Sequence, residues 1–85
     1  MTFLSGKRAR RDTYNYTLRD GRKVVQFGIT NNPERRIDEH ERDGKRFTSV
    51  TIDFPCSRET ALELERQAIE TYKQNQGKRP RYNKV

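Results

Sequence analysis

The 85-residue chain has no tryptophan, one cysteine, one histidine and three prolines. Its single cysteine, Cys56, closes no internal disulfide and builds no zinc cage alone. It is expected to be a reduced thiol, structural or at the surface. No apolar run approaches the roughly 20 residues that a membrane span needs. The first residues lack the apolar stretch of about 7–15 residues that marks a secretory signal. Only 29% of residues are hydrophobic. A chain this short forms one domain and buries roughly 60–65% of its unfolded surface, so its core must be thin. There is no glycine-rich phosphate loop, no Ser/His/Asp arrangement and no internal repeat. These absences leave a small soluble protein with no membrane partner and no small-molecule cofactor, expected in the cytoplasm.

What the chain does have is charge. Charged residues make up 36% of it, with 19 Lys+Arg against 12 Asp+Glu and a net charge of +7. That balance points to a polyanionic partner, most simply nucleic acid. The charge is unevenly placed. Residues 1–11 hold Lys7, Arg8, Arg10 and Arg11 without an acid, and residues 73–85 hold Lys73, Lys78, Arg79, Arg81 and Lys84 without an acid. Like-charged blocks at chain ends stay disordered unless a partner neutralises them, or grip phosphates as arms. Residues 1–12 are therefore expected to be a basic N-terminal arm, and 13–85 a single domain with a basic C-terminal tail.

Local signals predict the elements between. Thr13–Leu18 alternates, with Tyr14, Tyr16 and Leu18 on one face, as a half-buried strand does. Asp20-Gly21 predicts a hairpin turn into a return strand over Lys23–Thr30. Gly28, late in that strand, suggests a bulge or a close backbone approach. Asn31-Asn32-Pro33-Glu34 starts a helix that runs to about Asp43 and stops at Gly44. Thr48–Phe54 alternates again, with Val50, Ile52 and Phe54 predicted inward and Pro55 ending the strand. Ser57 caps a helix over about 58–75 that closes near Gly77. The predicted fold is α+β, a three-stranded antiparallel sheet flanked by helices in β-β-α-β-α order.

Three elements carry candidate chemistry. On the long helix, at about 100° per residue, Ala61, Leu64, Ala68, Tyr72, Ile69 and Leu62 form an apolar arc with Glu65 inside it. A carboxylate there must be ion-paired, partly exposed, or holding a cation. On the short helix Arg36 and His40 share a face. The first can grip a phosphate and the second can relay a proton, though His40 taken alone reads first as a surface polar residue. Tyr16 supplies a hydroxyl that can accept a proton, or simply completes the core beside Tyr14. Arg35 lies on a charged helix face open to phosphates, and Arg81-Tyr82-Asn83 could contact phosphate and stack on a base. An internal acid, an arginine and a strand tyrosine suit metal-assisted phosphodiester chemistry.

The run Tyr14-Asn15-Tyr16, the segment Phe27-Gly28-Ile29-Thr30-Asn31-Asn32-Pro33-Glu34-Arg35-Arg36 with His40, the later Ala61–Glu65 and Arg81-Tyr82-Asn83 together resemble the GIY-YIG nuclease domain over about 13–83. The resemblance implies a three-stranded sheet with helices and DNA cleavage with one divalent ion, Mg²⁺ or Mn²⁺. It implies that Glu65 holds the metal, Arg36 steadies the scissile phosphate, Tyr16 lies near the attacking water, and His40 assists the base. Asn83 would brace the site and Gly28 would keep the backbone close to it. Lys7, Arg8, Arg10, Arg11, Arg35, Lys78, Arg79, Arg81 and Asn83 would meet DNA. Two positions depart from the family pattern: Tyr14 stands for a glycine and Gln26 for a tyrosine. The second leaves two readings: a small DNA endonuclease or nickase, and an inactive descendant that binds DNA or DNA with a protein partner.

Overall fold

The computed structural model describes residues 11–83. Its elements are β1 (Tyr14–Asp20), β2 (Lys23–Thr30), α1 (Pro33–Arg42), β3 (Ser49–Ile52) and α2 (Arg58–Gln76). The three strands form one antiparallel sheet in the order β2-β1-β3, so the fold is α+β as expected. Lys7, Arg8 and Arg10, expected to grip phosphate, lie outside the described residues.

Local chemistry accounts for the boundaries. Asp20 pairs with Lys23, leaving Gly21-Arg22 as the turn, and Gly21 takes φ +66°, which costs glycine little. The Asn32 side chain accepts the Arg35 N–H, and Pro33 fills the first turn of α1. The Ser57 side chain accepts the Thr60 N–H at the start of α2.

The register decides what shares a face. Tyr16 lies opposite Gly28 and Ile52, and Leu18 opposite Gln26 and Val50. A bulge between Leu18 and Arg19 leaves Val25 as the extra residue. Tyr16, Leu18 and Val25 form the buried core, with Phe47, Val50 and Tyr82 packed against it. α2 lies on the opposite face. There the Asn15 amide donates to the Ala61 carbonyl at 3.0 Å, and Phe27 meets Tyr72 edge-on at 6.3 Å. The Cys56 thiol is half-buried, 3.8 Å from Asn15 Oδ1, and its backbone bridges to Thr13.

Three local expectations are corrected. β3 is shorter than predicted, and Ile52 and Phe54 do not face inward: they are 44% and 94% exposed. β3 is an outer strand: Val50, opposite Leu18, still packs on the core, whereas Ile52 is the last residue of the strand and Phe54 lies beyond its end. Leu62 and Leu64, placed in the apolar arc of α2, are 44% and 45% exposed, whereas Ala61 is fully buried. The helix is wider than the strip of sheet it covers.

The C-terminal tail also differs from a loose arm. Pro80 is fully buried. The Tyr82 N–H donates to the Val25 carbonyl at 2.8 Å. The Asn83 side-chain amide accepts from the Phe27 N–H at 2.8 Å and donates to the Phe27 carbonyl at 2.9 Å. Residues 80–83 thus satisfy backbone groups on the outer edge of β2 that would otherwise stay unpaired.

Candidate active site

At the β2 edge, side chains from four parts of the chain line one open cavity of about 610 Å³. Tyr16 comes from β1, Arg36 from α1, Glu65 from α2 and Asn83 from the tail. Tyr16 starts on the central strand and must cross its neighbour to arrive there. It does so over Gly28, where a Cβ would sit 2.3 Å from the Tyr16 ring and hydroxyl. The close approach expected at Gly28 is thus the passage of one side chain over the backbone of the next strand.

His40 is 5% exposed, which removes the surface reading of this residue. It points down from α1, and its Nε2 lies 2.7 Å from the Tyr16 hydroxyl. Its Nδ1 lies 2.9 Å from Lys45 Nζ, which also donates to Gln26 Oε1 at 3.0 Å. An ammonium group only donates, so Nδ1 accepts and the imidazole proton sits on Nε2. Nε2–H then donates to the Tyr16 oxygen, and the Tyr16 hydroxyl proton is left to point elsewhere. In this tautomer His40 orients the phenol and stabilises a phenolate rather than drawing off its proton. Lys45 had no signal in the sequence. It sits in the loop after α1, away from any helical or strand period, and it joins the site through contacts spanning 5 and 19 residues.

The titrating groups respond to these surroundings. Burial pushes the Tyr16 phenol up, Arg36 draws it back down, and Glu65 adds a smaller upward push. Burial lowers the His40 imidazole, and the charges of Lys45 and Arg36 lower it further, so it is neutral at neutral pH. Burial raises the Glu65 carboxyl, with Arg58 opposing the shift. Glu65 is half-buried in the wall of a polar cavity.

Arg36 Nε lies 3.2 Å from Glu39 Oε1, off the line of a hydrogen bond. It is a buried donor without an aligned acceptor. The Glu39 carboxylate compensates its charge, and the guanidinium lines the cavity wall. Among the described residues no three His, Cys, Asp or Glu side chains cluster closely enough to cage a metal. An ion here would rest on Glu65 alone, with water and substrate oxygens completing its shell, which is a mode that Mg²⁺ favours.

The remaining candidates sit apart. Arg35 faces solvent on α1, 3.9 Å from Glu39. Arg11 is exposed before β1. Lys78, Arg79 and Arg81 line a second cavity beside Asn83. Tyr82 is half-buried and lines the first cavity; its ring packs on the core and its hydroxyl accepts the Arg46 N–H at 2.9 Å. No helix among the described residues is long and apolar enough to cross a membrane. Compared with protein-family models, curated proteins and solved structures, the chain matches none.

Proposed function

We propose that this chain is a divalent-metal-dependent DNA endonuclease or nickase of GIY-YIG type. One observation carries the reading. Tyr16, Arg36 and Glu65, an acid, a cation and a phenol far apart in sequence, line one open cavity. The positive net charge favours a polyanionic substrate.

The residues divide the work of hydrolysis. A phosphodiester entering the cavity meets the Arg36 guanidinium in its wall, which can donate charge-assisted hydrogen bonds to it. The Tyr16 phenol must first release its own proton to solvent. Its oxygen then takes a proton from a water positioned opposite the leaving oxygen, while His40 Nε2–H holds the phenol oxygen in place. Because burial raises the phenol, this competent fraction grows with pH. An Mg²⁺ or Mn²⁺ ion on Glu65 would supply charge for the developing phosphorane and the departing oxygen. Lys45 fixes the His40 tautomer from the far side.

The test is plasmid nicking. Wild type should nick supercoiled DNA with Mg²⁺ or Mn²⁺, and Glu65→Gln should reduce nicking by roughly 10²-fold or more while leaving DNA binding intact. Absence of nicking with either ion on varied DNA would sink the catalytic reading.

A second reading is a DNA-binding module without cleavage. The position of the family's second tyrosine holds Gln26, which cannot ionise, and its carbonyl oxygen is already taken by Lys45. DNA binding without nicking would favour it, and nicking gained in Gln26→Tyr would locate the defect at that position.

A further inference from the structure

The second cavity, of about 520 Å³, has an unusual lining. Lys23, Lys73, Lys78, Arg79 and Arg81 surround it, with no Asp or Glu in its wall. They come from the start of β2, the last turn of α2 and the docked tail. The sequence gathered four of them in its basic block 73–85, and the fold adds Lys23. Lys73 Nζ has one acid nearby, Glu70 at 3.8 Å. An anion entering this concavity would be drawn by the five cations of its wall.

The tail makes this a shaped site. The buried Pro80, the Tyr82 N–H bond to Val25 and the paired Asn83 amide on Phe27 hold the backbone that carries Lys78, Arg79 and Arg81. Cations held in this way lose less entropy on binding than those of a disordered arm. Asn83 lines this cavity and the Tyr16–Arg36–Glu65 cavity alike, so the two adjoin along the β2 edge.

We infer that the Lys23–Lys73–tail cavity is a second phosphate-binding site, which takes a backbone phosphate of the same nucleic-acid strand next to the one at Arg36. The inference rests on the DNA reading above and deepens it. The cavity sets where the strand lies relative to the reacting bond, a task the sequence assigned to flexible arms. Arg36 would hold the reacting phosphate and the basic cavity a neighbouring one.

The test compares charge-matched variants of the full chain. Lys23→Gln/Lys73→Gln removes two cavity cations. Arg42→Gln/Arg66→Gln removes two cations that are exposed on the helices and paired with Asp38 and Glu63. Binding of a DNA duplex is measured between 50 and 300 mM salt, roughly the range in which counterion release dominates. The cavity variant should lose about 1.8 from the slope of log K against log salt, and roughly 30-fold in affinity at 0.15 M salt. The helix variant should lose little of either. Equal losses in the two variants, or none in the cavity variant, overturn the site. A titration of wild type with inorganic phosphate, followed by amide NMR, separates the two readings. Shifts centred on residues 23, 73 and 78–81 uphold the anion site even if DNA fails to bind, and then the DNA reading falls. DNA binding without such shifts and with equal slopes leaves the DNA reading standing and removes the cavity.

Discussion

Gly28 is small because of a ring that belongs to the neighbouring strand. Tyr16 reaches the β2 edge only by lying across this glycine, and a methyl group there would stand 2.3 Å from ring atoms. Tyr16 is 3% exposed, so the ring has little room to retreat. Gly28→Ala is expected to cost about 1–3 kcal/mol in stability, the usual penalty for overfilling a packed site. It should also pull the hydroxyl off His40 and lower any nicking activity with it. Urea unfolding checks the first outcome: a midpoint within error of wild type would mean that the ring moves aside without strain. The sequence marked this glycine as a place of close approach, but which side chain does the approaching depends on strand register.

At the scale of elements, α1 is the helix with least to hold it. Ile37 is its only strongly apolar residue, and its ties to the sheet are polar: His40 to Tyr16, and through Lys45 to Gln26. The helix itself was legible, because Asn32, Pro33 and Gly44 act on backbone groups within a few residues of themselves. Its orientation was not, because one apolar residue gives no face to read. Lys45 is the test of how α1 is held. Lys45→Met keeps the stem and removes the charge that depresses His40 and the donor to its Nδ1. Burial is the larger cause of that depression and remains, so the imidazole should rise only part of the way to its ordinary value. The chain has one histidine, so a proton NMR titration reads the effect on a single ring signal. An unshifted midpoint would show that Lys45 does not govern His40.

At the scale of the whole molecule, the three displaced groups of the site shape how stability follows pH. Glu65 is raised, so it favours the native state below about 4.5, and that contribution is lost as pH rises through its native value. His40 is lowered, so the native state is unpenalised above about 6.5 and loses stability as pH falls through that window. Tyr16 is raised, so stability present below about 10 is lost as pH climbs past it. Between about 4.5 and 6.5 the Glu65 and His40 contributions oppose each other. Glu65→Gln removes one of them. The variant should melt at a higher temperature than wild type at pH 7, match it below about pH 4.5, and rise more steeply in between. Thermal unfolding across pH decides this, and a lower melting temperature at pH 7 would show that Glu65 is stabilised in place by a partner.

The chain by itself determined the elements. The Asp20-Gly21 turn, the Asn32 and Ser57 caps, the α2 boundaries and the β-β-α-β-α order are set by residues acting on their near neighbours, and these stand in the structure as read. The net charge and its concentration at the two ends were equally plain. Tertiary structure decided what those charges and side chains face. Register put Tyr16 and Gln26 on one face, a bulge placed Val25 in the core, and an outer strand that ends at Ile52 left Phe54 in solvent. Docking of residues 80–83 on β2 turned part of a basic tail into the wall of a cavity shared with Lys23 and Lys73. Caps and turns are governed by a few consecutive residues. These other outcomes depend on contacts between segments tens of residues apart, whose geometry no local pattern carries.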